Sequence, residues 1–187
     1  RGFKTPVSSR NLANDVDDHV VDALSGAVTA RMGDISHRYY QMKARWFGSE
    51  KLAWWDRNAP LLGDDDRLYS WDEAKSIVIE SFAAFDEEMA DIARMFFDKG
   101  WVDAGINPGK ASGAFSHPCV PSTHPYILMN FAGKARDVMT LAHEMGHGIH
   151  QVLAARQGAL MADTPLTLAE TASVFAEMLT FHRLLDE

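Results

Sequence analysis

The sequence predicts a mainly α-helical fold with a small β-sheet beside one long helix. Two observations lead to this prediction. Apolar residues recur at three- and four-residue steps through most of residues 1–100, whereas proline and glycine divide residues 101–133 into short apolar segments. Helical periodicity then returns over residues 134–187. We therefore expect one domain made of a helical segment, a small sheet with its loop, and two closing helices.

The composition excludes several classes of protein. Of the 187 residues, 47% are apolar and 24% are charged, as in ordinary globular domains. Acidic side chains outnumber basic ones by 26 to 18 and the basic residues form no stripe, so we expect no nucleic-acid partner. No apolar run is long enough for a membrane span, and we expect no membrane partner. The single cysteine, Cys119, excludes an internal disulfide and fits the reducing cytoplasm.

The helical segment is predicted to contain three main helices. The first covers residues 11–32, where aspartates alternate with apolar residues at helical spacing. A shorter helix follows and is ended by Gly48. Ser70 and Glu73 have the spacing of a capping box, which predicts the start of a long helix that continues to Gly100.

Two short strands are predicted in the segment that follows. They are residues 111–116 and residues 126–130, joined by a loop whose prolines forbid a helix. The second strand is short, as expected of an edge strand. These strands form the small sheet of the prediction.

The residues of greatest chemical interest lie on a helix predicted for about residues 135–157. An apolar stripe follows one side of this helix, and three histidines lie on the other side, namely His143, His147 and His150. His143 and His147 are four residues apart, so their imidazoles lie one turn apart and can share one metal ion. Glu144 is a quarter of a turn away, beside the open position of such an ion. This spacing is the HExxH motif.

The motif predicts metal-dependent peptide hydrolysis. Two neutral imidazoles and a third protein ligand hold Zn²⁺ and leave one position for water. Glu144 is then placed to accept a proton from the attacking water and pass it to the leaving amine. The alternative is a solvated polar helix face. Gly146 and Gly148 argue against it, because each weakens a helix by about 1 kcal/mol and so indicates the close approach of another element.

The third ligand must come from another element. The final helix, predicted to begin near Thr164, carries Glu170 and Glu177 on one face. Glu170 is the candidate ligand, and Glu177 is the candidate for orienting an imidazole or a neighbouring carboxylate. The alternatives are a capping box formed by Thr167 with Glu170 and a solvated Glu177.

A second candidate metal cluster consists of His117, Cys119 and His124. Prolines separate its members, and the sequence contains no CxxC pattern. Both features argue against a metal site at these residues.

The sequence resembles one family over nearly its whole length. "TLAHEMGHGIHQ" followed by "LTLAETASVFAE" resembles the active-site helices of the oligoendopeptidase F branch of the thimet oligopeptidase family of zinc metallopeptidases. "HRYYQMKARWFG" and "GWVDAGINPGKASGAFS" look like segments of that family in the same order. The resemblance implies a mainly helical, zincin-like catalytic domain in which His143, His147 and Glu170 bind Zn²⁺ and Glu144 is the general base. It also implies short peptides as substrates.

Members of that family are several hundred residues long. The resemblance therefore implies that this chain is the central zinc-bearing part of a longer enzyme, whose N- and C-terminal parts pack against it. A chain that begins without methionine and stops within helical periodicity fits this expectation. The alternative function is a non-hydrolytic zinc-binding or interaction module. Structural zinc sites normally have four protein ligands, so the three candidates here favour an open, hydrolytic site.

The predicted sheet suggests how a peptide is held. Gly109 and Gly113 let another backbone approach closely, so an extended peptide can add itself to a neighbouring strand. We expect residues 111–116 or residues 126–130 to contact the substrate in this way. The alternative is a hairpin with a structural role only.

Overall fold

A computed structural model describes residues 2–61 and 67–186. The fold is mainly helical with one small sheet, as predicted. The chain divides into two compact units, Arg1–Asp66 and Arg67–Glu187. Within the described ranges, no helix combines the length and the apolar character needed to cross a bilayer.

Residues 2–61, the described part of the first unit, contain three α-helices. They are α1 (Ser8–Ala13), α2 (Asp18–Arg31) and α3 (Arg38–Trp46), with a π-helical segment at Gly33–His37 and a 3₁₀ turn at Trp54–Asn58. The single helix predicted for residues 11–32 is wrong, because the chain breaks between α1 and α2. Asp15 has a φ of 52°, which a right-handed helix does not accept.

The second unit contains four helices, namely α4 (Trp71–Ala83), α5 (Glu87–Asp98), α6 (Ala135–Ala155) and α7 (Leu166–Leu185). The predicted capping box is confirmed, since Ser70 and Glu73 each accept a hydrogen bond from the other's backbone amide. The prediction of one helix up to Gly100 is wrong. Asp86 is extended, and its carboxylate accepts a hydrogen bond from the Met89 amide, which starts α5 as a new helix.

The sheet has three strands, β1 (Val102–Asp103), β2 (Phe115–His117) and β3 (Tyr126–Leu128), in the order β1-β3-β2. β1 is parallel to β3 and β2 is antiparallel to it. The sequence did not predict β1, which is too short to show an alternating pattern. The prediction that residues 126–130 form an edge strand is wrong, because β3 pairs on both sides and β2 is at the edge.

Two glycines of α6 allow the helix to pack closely. A Cβ atom added to Gly146 would lie 2.7 Å from the Ala176 Cβ on α7, and one added to Gly148 would lie 2.7 Å from the Phe96 ring on α5. The close approach predicted from these glycines is confirmed. Around them lies the apolar core, whose largest fully buried side chains include Phe82, Phe96, Ile127, Met129, Leu141 and Met145.

Candidate metal centre

Three potential ligands meet where α6 packs against α7. His143 Nε2 lies 3.4 Å from Glu170 Oε2, and His147 Nε2 lies 3.7 Å from the same oxygen. The two imidazole centroids are 5.0 Å apart. One carboxylate oxygen of α7 therefore faces one nitrogen from each histidine of α6.

This donor set fits a metal ion. The candidate ligand atoms of His143, His147 and Glu170 all lie within 4.8 Å of one another. Two atoms bound at about 2.0–2.1 Å to a tetrahedral ion are about 3.4 Å apart, close to the separations seen here. Nitrogen and carboxylate donors in this ratio suit Zn²⁺. In residues 2–61 and 67–186, no other set of His, Cys, Asp or Glu side chains has this arrangement, and His150 is not part of it.

The second cluster considered from the sequence has a different structure. His117 Nδ1 accepts a hydrogen bond from the Cys119 amide at 3.0 Å. The His124 ring stacks on the Trp101 ring, with centroids 3.8 Å apart and planes at 6°. These contacts serve the loop between β2 and β3, and the three side chains do not form a metal-binding group.

Hydrogen bonds orient both imidazoles. His143 Nδ1 lies 3.1 Å from Glu177 Oε2, so the Nδ1–H tautomer donates to Glu177 and leaves Nε2 as an acceptor facing Glu170. The ring of His147 is hydrogen-bonded to the backbone of Ala169, at the start of α7. Burial lowers the pKa of His147, and the nearby Glu170 carboxylate acts against this shift. Burial therefore favours the neutral imidazole, which is the form that binds metals.

Ser173 orients Glu170 and was not anticipated from the sequence. Its hydroxyl donates to Glu170 Oε2 at 2.9 Å, and the serine is fully buried. The signal in the sequence is a serine three residues after a glutamate on the same predicted helix. The capping box considered for Thr167 and Glu170 does not form, because α7 starts at Leu166, directly after Pro165, and has no side-chain cap.

Glu144 is buried beside the candidate ligands. Its side chain is 6% exposed, and Oε2 has no hydrogen-bond partner among the described residues. Burial raises the pKa of the Glu144 carboxyl. Nearby His143 opposes this rise, Glu170 adds to it, and a hydrogen bond with the Ser116 backbone opposes it. The carboxylate has an unused acceptor in a poorly solvated position.

A cavity of about 380 Å³ connects Glu144, the three candidate ligands and β2. Ala114, Phe115 and Ser116 line its strand side. Ser116 is tied to α6 through Gln151, whose Nε2 donates to the Ser116 carbonyl at 3.2 Å and whose Oε1 accepts from the Ser116 hydroxyl at 2.8 Å. Gln151 was not anticipated as a site residue either. The edge strand is thereby fixed beside the candidate metal centre.

Comparison with known proteins identifies related chains. The profile of Peptidase family M3 matches residues 2–187. The chain is 30% identical over 188 residues to the chromosomal oligoendopeptidase F of Lactococcus lactis subsp. cremoris, a match that covers 100% of this chain and 31% of that protein. It is 29% identical over 174 residues to oligopeptidase PepF of Bacillus subtilis (strain 168), covering 92% of this chain and 26% of that protein.

A solved structure has the same fold. The structure of PZ peptidase A with an inhibitor matches 98% of this chain and 34% of that chain, with a TM-score of 0.78 at 22% identity. The chain thus spans about a quarter to a third of the length of the relatives that it matches.

Proposed function

The chain belongs to peptidase family M3, and from this premise we propose that it is the zinc-binding catalytic part of an endopeptidase that cleaves short peptides. The observation that carries the proposal is the position of Glu144. The Glu144 side chain lines the cavity that also contains His143, His147 and Glu170, and its Oε2 is buried with no hydrogen-bond partner among the described residues. A carboxylate in this position is suited to proton transfer. Its position has no evident use in a purely structural metal site.

In this proposal His143, His147 and Glu170 hold Zn²⁺. When bound, the ion lowers the pKa of a water molecule and polarises the substrate carbonyl. Glu177 and the backbone at Ala169 fix the imidazoles, which is the usual role of groups behind metal ligands. Ser173 does the same for the Glu170 carboxylate.

Glu144 acts as the general base. It accepts a proton from the attacking water and then donates that proton to the nitrogen of the leaving amine. The second step requires a carboxyl group that holds a proton for part of the cycle. The raised pKa caused by burial makes the protonated form easier to reach.

The peptide lies along β2 in this proposal. β2 is the edge strand that lines the cavity with Glu144, so it takes the role that the sequence had divided between two candidate strands. We propose that the remaining parts of the longer enzyme pack against this chain and complete the cleft. We also propose a cytoplasmic location, because the exposed thiol of Cys119 suits a reducing compartment.

The proposal is tested on the intact enzyme that contains this chain. Purified protein is analysed for metal content and assayed with internally quenched peptides before chelation, after chelation and after zinc is restored. We expect about one zinc per active site and cleavage that disappears and returns with the metal. Bound zinc without cleavage of any peptide in the set would instead favour a non-hydrolytic zinc-binding module.

A further inference from the structure

A second and larger cavity adjoins the candidate metal centre. Its volume is about 730 Å³, and it lies between the loop of residues 118–125, the C-terminal turns of α6 and residues 159–163. The two cavities share four lining residues, namely Pro118, Gln151, Ala162 and Asp163. The second cavity is therefore the immediate neighbour of the candidate metal centre.

The lining of this second cavity is mostly apolar. Met95, Trp101, Val120, Val152 and Ala155 contribute to its walls. Arg156 also lies on the wall, but its guanidinium donates to Glu88 at 2.9 Å. Such a surface favours an apolar group over a charged one.

Stacked rings hold one wall of the cavity in place. His124 lies between Trp101 and Tyr126, with centroid distances of 3.8 Å and 4.4 Å. The Ser116 side chain and carbonyl are bonded to Gln151 at the boundary with the metal centre. Because these contacts fix the positions of the rings and of Ser116, binding an apolar group requires little rearrangement of the wall.

The distance along α6 sets the length of peptide that reaches the cavity. His147 and Ala155 are eight residues apart, or about 12 Å at the rise of an α-helix. An extended peptide covers about 3.3 Å per residue, so three to four residues span this distance. β2 also runs from the metal centre towards the second cavity, since Ser116 lines the first cavity and Pro118 lines both.

We propose that the second cavity binds an apolar side chain of the peptide substrate, aromatic or branched aliphatic, three or four residues from the bond that is cleaved. This inference rests on the proposed function, because it assumes that a peptide lies at the metal centre. It goes further by assigning a specificity site to a particular wall of the protein.

The test measures peptide binding without cleavage. The intact enzyme carrying Glu144→Gln is titrated with fluorescently labelled peptides of alanine, glycine and serine, in which one phenylalanine is moved a position at a time. We expect one position at which phenylalanine lowers the Kd about tenfold relative to alanine. Tenfold corresponds to about 1.4 kcal/mol, just below the range for full burial of an aromatic side chain.

Two substitutions fill the cavity, and a third substitution outside the cavity serves as their control. Ala155→Phe and Ala159→Phe each add a ring to a lining position, and Ala159 is in an exposed loop where the substitution disturbs no core packing. We expect either ring to remove the phenylalanine preference, so that each variant binds the phenylalanine peptide and the all-alanine peptide with the same Kd. Gln157→Phe adds the same ring at an exposed position outside the lining and keeps the preference. Thermal unfolding of each variant confirms that it is folded.

The outcomes separate this inference from the proposed function. A preference that persists in both cavity-filling variants, or no preferred position at all, would overturn the inference even if the wild-type enzyme cleaves peptides. A preference that both variants remove would support it even if the wild-type enzyme cleaves nothing. In that second case the proposed hydrolysis fails and the apolar subsite remains.

Discussion

Gly146 on α6 packs directly against Ala176 on α7, since a Cβ atom on the glycine would lie 2.7 Å from the alanine Cβ and 2.8 Å from the Ala172 carbonyl oxygen. Any larger side chain at residue 146 therefore forces α6 and α7 apart. Because Glu170 is on α7 and both histidines are on α6, this contact also sets the separation of the candidate ligands.

We predict that Gly146→Ala lowers both stability and zinc affinity. Overpacking typically costs about 1–3 kcal/mol, and this cost exceeds the gain of up to about 1 kcal/mol in helix propensity. Thermal unfolding and competition with a zinc chelator measure the two effects. Gly26→Ala on α2 is the control, because a Cβ atom there meets nothing within 4 Å and should stabilise the helix. If Gly146→Ala binds zinc as tightly as the wild type, the spacing of α6 and α7 does not control zinc affinity.

We predict that Glu144→Gln keeps its zinc and loses about 10²–10⁴-fold in kcat. The amide preserves the shape of the side chain but does not accept the proton of the attacking water. Metal analysis and steady-state cleavage of a quenched peptide provide the two measurements. Turnover close to that of the wild type would refute the role of Glu144 as the base.

We predict that Glu170→Ala weakens zinc binding as much as His147→Ala does, because each variant lacks one of three protein ligands. Glu177→Ala should have the smaller effect of about 10–100-fold in affinity, since Glu177 acts through His143. Chelator competition on the intact enzyme ranks the three variants. If Glu177→Ala loses zinc while Glu170→Ala retains it, the third ligand is Glu177 and not Glu170.

We predict that Ser173→Ala reduces zinc affinity by about tenfold, because Glu170 Oε2 loses the hydroxyl that positions it. Thr180→Val is a matched control on the same helix. Thr180 is also fully buried, but its hydroxyl oxygen has no partner in the described part of the chain. Removing that hydroxyl should raise stability by about 1 kcal/mol without changing zinc affinity. Equal zinc affinities in the two variants would contradict a positioning role for Ser173.

We predict that peptides N-methylated next to the scissile bond inhibit the intact enzyme many-fold less well than their parents. Pairing with β2 requires backbone amides, and each lost hydrogen bond costs about 0.5–1.5 kcal/mol. Inhibition constants are measured for a series methylated at one amide at a time. If all members of the series inhibit equally, the peptide does not bind as an added strand.

The structural predictions were most accurate where a residue pattern has a single structural explanation. Ser70 and Glu73 form their box, and the four-residue spacing of His143 and His147 places both imidazoles on one side of α6. Gly146 and Gly148 correctly predicted close packing. A glycine destabilises the interior of a helix, so it is expected there only where a larger side chain does not fit. In these cases the local pattern is enough to identify the structural role of the residue.

The sequence predicted least where tertiary contacts decide. The apolar periodicity continues through the break at Asp86, so only the capping hydrogen bond to Met89 reveals a new helix. The two residues of β1 become a strand only by pairing with β3, and that pairing also moves β3 from the edge to the centre. Gln151 contacts Ser116, which is 35 residues away in the chain and meets it only when β2 packs against α6, so no spacing rule identifies Gln151.

The bond from Gln151 to the Ser116 carbonyl has a consequence for self-association. An exposed strand edge next to an open cleft is a template on which a second protein molecule can extend the sheet and begin to aggregate. In β2, a strand of three residues, the side chain of Gln151 occupies the carbonyl of the middle residue. A neighbouring molecule would have to displace the glutamine and would gain little net energy from the exchange. The edge is thus protected from other copies of the protein. In the proposed function, an extended peptide held at several points along the cleft competes with Gln151 for the same carbonyl.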